Sequence, residues 1–135
     1  VMLSEELEYL ELYLDIEKVR FGHRLTTDIR CEEPALAMRL PAMLLQPIVE
    51  NAIKFGLYDT TDDITIGMDC AVKEQMLVIT VENPFDAEIS HPGKGTGFGL
   101  SSVQRRLSLL FARNDLLSTS VVGNAFITQV KIPRQ

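Results

Sequence analysis

Residues 64–82, ITIGMDCAVKEQMLVITVE, decide how the chain folds. The run splits into two apolar stretches, Ile64 to Val72 and Met76 to Glu82, around the polar turn Lys73, Glu74 and Gln75. In the second stretch Leu77, Ile79 and Val81 fall on one face and Val78 and Thr80 on the other, the period-2 pattern of a strand. A turn that short joins paired strands, so a mixed or antiparallel sheet is expected.

Towards the C-terminus a loop, Asn83 to Lys94, carries two prolines and leads into three glycines within five residues. A helix is expected from about Gly99 to Phe111, with Leu100, Val103, Leu107 and Leu110 on its buried face. A closing hairpin follows: Leu116 to Val122, the turn Gly123-Asn124, and Ala125 to Ile132. Towards the N-terminus, Ala42 to Phe55 is the clearest helix, started by Pro41 and ended by Gly56 as C-cap. At 100° per residue Leu44, Leu45, Ile48, Val49, Ala52, Ile53 and Phe55 fill one half of its wheel, and Gln46, Glu50, Asn51 and Lys54 the other. Pro47 sits in the first turns, where a missing donor costs less. Residues Arg24 to Cys31 read as a strand. Before it, Ser4 with Glu5 and Glu6 reads as a helix start. Leu3, Leu7, Leu10 and Leu14 then form one apolar stripe, and Tyr9, Leu12, Tyr13 and Ile16 a second round the side. The second stripe has two readings: a wide face in a single core, or contact with something outside these residues. The order of elements predicts an α+β two-layer sandwich, a mixed and mostly antiparallel sheet with helices on one face.

The 135 residues suit one domain with a substantial core, and no repeat or low-complexity tract divides them. Thirteen basic against nineteen acidic residues leave a net charge of −6. That balance argues against nucleic acid and against docking on anionic lipid. No run of 18 apolar residues exists to form a membrane-spanning helix. Cys31 and Cys70 stand far apart in the sequence and outside any CxxC or His-rich context, which disfavours zinc and a disulfide framework and suits a reducing compartment. Val1 opens the chain with no charged-then-apolar leader, which reads as a piece of a longer protein.

Three segments carry chemistry. Gly95, Gly97 and Gly99 alternate immediately before an amphipathic helix, allowing close backbone approach to a ligand at a helix N-terminus that favours phosphate. The spacing is neither G-x-G-x-x-G nor a P-loop, and a flexible turn is the plain alternative. Glu50 and Asn51 place neighbouring oxygen donors on the polar half of their helix. They suit a hydrated Mg²⁺, and a merely solvated face is the alternative. Asn83, where a strand meets Pro84, offers an amide that can read a base edge, or else forms a turn.

Taken together, LPAMLLQPIVENAIKFG, a strand ending VENP, GKGTGFGLSSVQRRLSLLF and a hairpin ending VKIP resemble one family. They look like the ATP-binding catalytic domain of LytS-like sensor histidine kinases, in the GHKL superfamily that also holds gyrase, MutL and the large ATP-driven chaperones. The opening LSEELEYLELYLDIEKVRFGHRL resembles the family's segment between phosphoacceptor region and ATPase domain, so the likeness covers essentially the whole chain. It implies a Bergerat-type ATPase fold over residues 23–135, with residues 1–22 as the joining helix.

The resemblance also implies roles. Asn51 matches the asparagine that binds Mg²⁺, Glu50 the carboxylate acting as general base, and Lys54 a basic position that reaches phosphate. Gly95, Gly97, Phe98, Gly99 and Leu100 match the glycine-rich box around the phosphates. Phosphoryl transfer needs mostly positioning and charge neutralisation, which these residue types supply. Asn83 takes the place of the family's adenine-reading aspartate and can still accept that hydrogen bond, without charge. Pro84 and Phe85 replace glycines beside it; relatives of the AlgZ type share the Asn-Pro variant. The lid, roughly Asp86 to Lys94, is short.

His23 and His91 lack the oriented partner that a phosphoacceptor needs, so the acceptor histidine is expected outside this sequence. The expected ligands are ATP and Mg²⁺. The expected partners are the phosphoacceptor region and a response regulator, with no nucleic acid and no membrane contact by these residues. The whole protein is expected to be a homodimer and this part cytoplasmic. A non-catalytic interaction module with weak or lost ATP binding is the competing reading. A serine kinase of the anti-sigma-factor type is a third, disfavoured by YLDIEKVRF.

Overall fold

The leucine spacing near the N-terminus does form a helix, α1 (Leu3–Phe21), and Leu3, Leu7, Leu10 and Leu14 are all buried along it. The computed structural model describes residues 1–57, 63–84 and 97–134. The helix start differs from expectation: Met2, not Ser4, is the N-cap. Residues 1–3 are zipped to 38–40, with Leu3 N donating to Met38 O at 2.8 Å and Leu40 N to Val1 O at 2.9 Å. That pairing holds Met2 extended, and Glu5 Oε1 accepts its N–H at 3.2 Å, so an apolar residue can occupy the cap. Of the second apolar stripe Tyr13 packs on the core, whereas Tyr9, Leu12 and Ile16 are exposed, as is Val19 further along.

A single 3-10 turn leads into β1 (Leu25–Cys31), followed by a short helix, α2 (Glu33–Leu36), opened by Pro34 and not anticipated from the sequence. The next helix, α3 (Leu45–Leu57), begins three residues later than expected and ends later, so Gly56 lies inside its last turn and not beyond it. The late start has a visible cause. Met43 takes a positive φ of 61°, and the N–H groups of Met43, Leu44 and Leu45 bond to the Glu6 carboxylate of α1. Pro47 is the third residue of α3, where no helical donor is lost.

The central hairpin is β2 (Ile64–Lys73) and β3 (Met76–Pro84). Its turn is only Glu74-Gln75, both at positive φ, 52° and 64°, the handedness that two-residue hairpins require. Helix α4 (Gly97–Phe111) starts two residues earlier than expected, and the chain closes with β4 (Leu117–Val122) and β5 (Ala125–Pro133) around Gly123 at φ 59°. Leu100, Val103 and Leu107 of α4 are buried as expected, but Leu110 is 58% exposed. From Leu107, a step of four residues turns 40° and a step of three turns −60° at 100° per residue. Phe111, packed on the core, therefore continues the stripe in place of Leu110.

The strands form one five-stranded sheet in the order β1-β2-β3-β5-β4, with β1 and β2 parallel and every other pair antiparallel. The parallel pair follows from the long connection through α2 and α3, which leaves room for a crossover. Leu25, Ile64, Ile66, Met68, Leu77, Ile79, Val81, Val130 and Ile132 face inward and join the buried residues of α1, α3 and α4 in one core. The other face carries Asp28, Arg30, Asp69 and Thr80, with Arg30 Nε 3.1 Å from Asp69 Oδ1. This is the two-layer α+β arrangement expected from the hairpins and amphipathic helices.

Candidate functional site

The polar half of α3 is not a uniformly solvated surface. Glu50 and Lys54 are exposed, but Asn51 between them is only 5% exposed. Its Nδ2 is buried and has no hydrogen-bond partner among the described residues. Leaving such a donor unmet costs about 1–3 kcal/mol, so its retention points to an acceptor that arrives from outside. Glu50 points outward one residue away, and Gln46, one turn earlier, donates from Nε2 to its Oε1 at 3.0 Å. That bond restricts a carboxylate that is otherwise exposed. Lys54 follows Asn51 by three residues, which on a helix keeps it on the neighbouring face.

Asn83 stands at the end of β3 and shares the inward parity of Leu77, Ile79 and Val81, with 1% exposure. It therefore projects from the sheet into the layer where α3 lies. Its Nδ2 donates to Pro84 O at 2.9 Å. One of the two Nδ2 hydrogens is thereby committed to backbone, which orients the amide, and the Oδ1 is the end that can accept.

The start of α4 abuts the start of α3. A methyl group built on Gly99 would lie 3.4 Å from Pro47 O, so the two first turns meet there in van der Waals contact. Gly97 opens α4, and Leu100 turns into the core, 8% exposed. Gly95, Phe85, His91 and the lid, Asp86 to Lys94, lie outside the described residues, as does the side chain of Phe98. The structure thus brings Glu50, Asn51 and Lys54 onto one helix and sets α4 with Gly97 and Gly99 beside it. Asn83 faces the same layer from the sheet. His23 is at the surface, its Nε2 3.8 Å from Asp63 Oδ1.

Asn51 and Glu50 fit a magnesium ion in kind. Mg²⁺ keeps most of its waters and takes one or two protein oxygens, which the Asn51 Oδ1 and the exposed carboxylate supply, and the orphaned Nδ2 suits an oxygen of a phosphate. Among the described residues no group of three or more His, Cys, Asp or Glu side chains forms a separate metal cluster. A depression of about 460 Å³ at the end of β3 is lined by Asp28, Thr65, Gly67, Glu82, Asn124 and Ala125 together with Asn83 and Pro84. Two acids and no basic side chain line it, which disfavours phosphate there.

Two features escaped the sequence reading. Cys31 and Cys70, 39 positions apart, are direct neighbours in the parallel register of β1 and β2. Burial pushes both thiols up, Cys70 the more strongly, and a bond between the two side chains adds to the rise at Cys70. They are protonated and unreactive at neutral pH, which suits packing better than catalysis. The other is Glu6, read as a first-turn acid but 4% exposed. At 100° per residue it falls between Leu10 and Tyr13, both packed on the core, and that was the available signal: a carboxylate in such surroundings must be met by donors.

No protein-family model matches the chain. It is 36% identical over 108 residues to the sensor histidine kinase BtsS of Escherichia coli K12, a match covering 79% of this chain and 19% of that protein. It is 32% identical over 123 residues to the sensor protein kinase HptS of Staphylococcus aureus USA300, covering 91% of this chain and 21% of that one. Among solved structures, the catalytic domain of histidine kinase ThkA superposes with a TM-score of 0.71 at 17% identity, over 99% of this chain and 93% of that one. ThkA in complex with the response regulator protein TrrA superposes at 0.66 with 16% identity, over all of this chain and 41% of that one. The chain spans about one fifth of the curated relatives it matches. Its homologues are therefore sensor histidine kinases, and its fold is that of histidine kinase catalytic domains.

Proposed function

We propose that residues 23–135 are the ATP- and Mg²⁺-binding catalytic domain of a two-component sensor histidine kinase of the LytS-like, AlgZ type. Residues 1–22 join it to a phosphoacceptor region outside this sequence. The observation that carries this reading is the buried, unpartnered Asn51 Nδ2 beside an exposed, oriented carboxylate. A site built for a charged, oxygen-rich ligand leaves such a donor unmet until that ligand arrives.

Each side chain then has one task. Asn83 Oδ1 accepts from the adenine amino group, the side chain being oriented by its Nδ2 bond to Pro84 O. Asn51 Nδ2 donates to a phosphate oxygen and its Oδ1 ligates the ion; when bound, Mg²⁺ neutralises phosphate charge. Lys54 adds a positive charge one turn on. Gly95, Gly97, Phe98, Gly99 and Leu100 shape the loop and first turn of α4, whose N–H groups face the phosphates. In the transfer, an imidazole nitrogen of the acceptor histidine bonds to the γ-phosphorus as the bond to the β–γ bridging oxygen breaks. ADP leaves, and Glu50 takes the imidazole proton.

A response regulator is the proposed second acceptor, supported by the ThkA–TrrA neighbour. The parent is proposed to be a homodimer with this part in the cytoplasm; no helix among the described residues is long and apolar enough to cross a membrane. The test supplies a phosphoacceptor segment in trans with labelled ATP. Histidine labelling abolished by Asn51→Ala and reduced at least 100-fold by Glu50→Gln is expected, the scale of a lost general base. Labelling by Glu50→Gln at close to the wild-type rate refutes the role of Glu50.

One observation favours a second reading. Tyr9, Leu12, Ile16 and Val19 form an exposed apolar stripe along α1, as an interaction module would need. On that reading oligomerisation or partner binding is indifferent to nucleotide.

A further inference from the structure

The N-terminus of α3 is held by charges from two other helices. On one side the Glu6 carboxylate of α1 accepts Met43 N at 3.0 Å through Oε1, and Leu44 N at 2.8 Å and Leu45 N at 3.1 Å through Oε2. On the other side Arg106 of α4 donates from Nη1 to Met43 O at 3.2 Å and from Nη2 to Ala42 O at 2.7 Å. Met43 is bonded on both sides, its N–H to the carboxylate and its C=O to the guanidinium. Its positive φ of 61° is the turn that aims the two groups apart.

A helix ordinarily meets its first free N–H groups with a side chain just before its own first turn. Here the acceptor is a buried carboxylate 37 to 39 positions upstream, and its negative charge sits at the positive end of the α3 dipole. The cap cannot be kept if α1 slides along α3, because three donors converge on one carboxylate with charge-assisted geometry. Asn51 lies six residues beyond Leu45, about 9 Å along a rigid helix. Whatever sets the first turn therefore sets the orphaned amide. The clamp also spans to α4, whose own first turn touches α3 at Gly99.

We propose that Glu6 and Arg106 are positioning residues: they tie the site-bearing face of α3 to α1 and α4, so that the placement of α1 controls how Asn51 is presented. The control is regulation of the nucleotide site proposed above, and to that extent it rests on that reading. Neither side chain touches the reacting groups.

The test uses this chain as wild type, Glu6→Gln and Arg106→Gln, all well below their melting temperatures. Glu6→Gln keeps size and one acceptor but turns an amide N–H₂ towards N–H donors; Arg106, half-buried at the surface, gives a variant less exposed to folding failure. Two readouts are taken: the NMR signal of the Asn51 side-chain amide without nucleotide, and calorimetric binding of a non-hydrolysable ATP analogue with Mg²⁺. Both variants are expected to shift the Asn51 signal and to weaken analogue binding about tenfold, within the usual range of coupling between sites. In an Asn51→Ala background the same changes should weaken binding less than about twofold, since coupled groups are not additive. Variants that melt lower while the Asn51 signal and the affinity stay at wild-type values overturn the proposal, leaving an ordinary structural cap. If wild type does not bind the analogue while both variants still move the Asn51 signal, the clamp stands and the nucleotide reading falls.

Discussion

Asn51→Leu removes a buried donor that has no acceptor and replaces it with an apolar side chain of similar size. Relief of the unmet donor is worth about 1–3 kcal/mol, and imperfect packing of the new side chain takes back part, leaving roughly 1–2 kcal/mol in favour of the ligand-free protein. At this chain length one kcal/mol moves the melting temperature by about 3–5 °C, so a rise of roughly 3–10 °C is expected. Binding should move the other way. Losing a hydrogen bond to a charged phosphate costs about 1.5–3 kcal/mol, a weakening of roughly 10- to 150-fold, before any loss of Mg²⁺ contact. Differential scanning calorimetry of the ligand-free protein and titration with an ATP analogue and Mg²⁺ measure both arms. A lower melting temperature for Asn51→Leu would show that the amide is satisfied in the free protein. Unchanged affinity would place the nucleotide elsewhere. Opposite signs in the two arms are the mark of a polar group kept for a ligand at the expense of stability.

The two stripes of α1 should respond differently to truncation. Leu10→Ala opens a cavity in the core and should cost about 2–5 kcal/mol in denaturant unfolding, whereas Ile16→Ala, on the exposed stripe, should stay within about 0.5 kcal/mol. Equal losses would mean that the second stripe is also covered. The thiols give a pH test. Burial raises both above the ordinary 9.0, so the native state holds protons that the unfolded state releases above that pH. Their contribution to stability is present below pH 9 and should fall as pH rises beyond it. A thiol reagent at pH 8 should modify Cys31 slowly and Cys70 more slowly still, and both rapidly in denaturant; fast native labelling of Cys70 would contradict its burial.

Much of the architecture was legible because its causes are local. Period-2 alternation in Met76–Glu82 and the leucine spacings of α1, α3 and α4 are consequences of backbone geometry that operate over a few residues. Element ends were less legible for the same reason. The start of α3 depends on a carboxylate from another helix, and the start of α1 on pairing with residues 38–40. The polar half of α3 was visible as a set of residues, Glu50, Asn51 and Lys54, and at 100° per residue Asn51 falls at its edge, 20° from Leu44, with Glu50 and Lys54 further from the apolar half. That Asn51 alone is buried and unpartnered is a property of what packs beside it.

The sequence by itself therefore determined most element types, the α+β class and the acidic charge balance, since these rest on composition and short-range periodicity; Glu50, Asn51, Lys54 and Asn83 were singled out as a nucleotide site by resemblance to a family. Only the tertiary structure decided that β1 runs parallel to β2 and so sets Cys31 against Cys70, and that Glu6 and Arg106 grip opposite sides of Met43. Each of these joins residues separated by tens of positions. Burial and hydrogen-bond partnership between them arise only when the chain closes on itself and water is excluded from the contact.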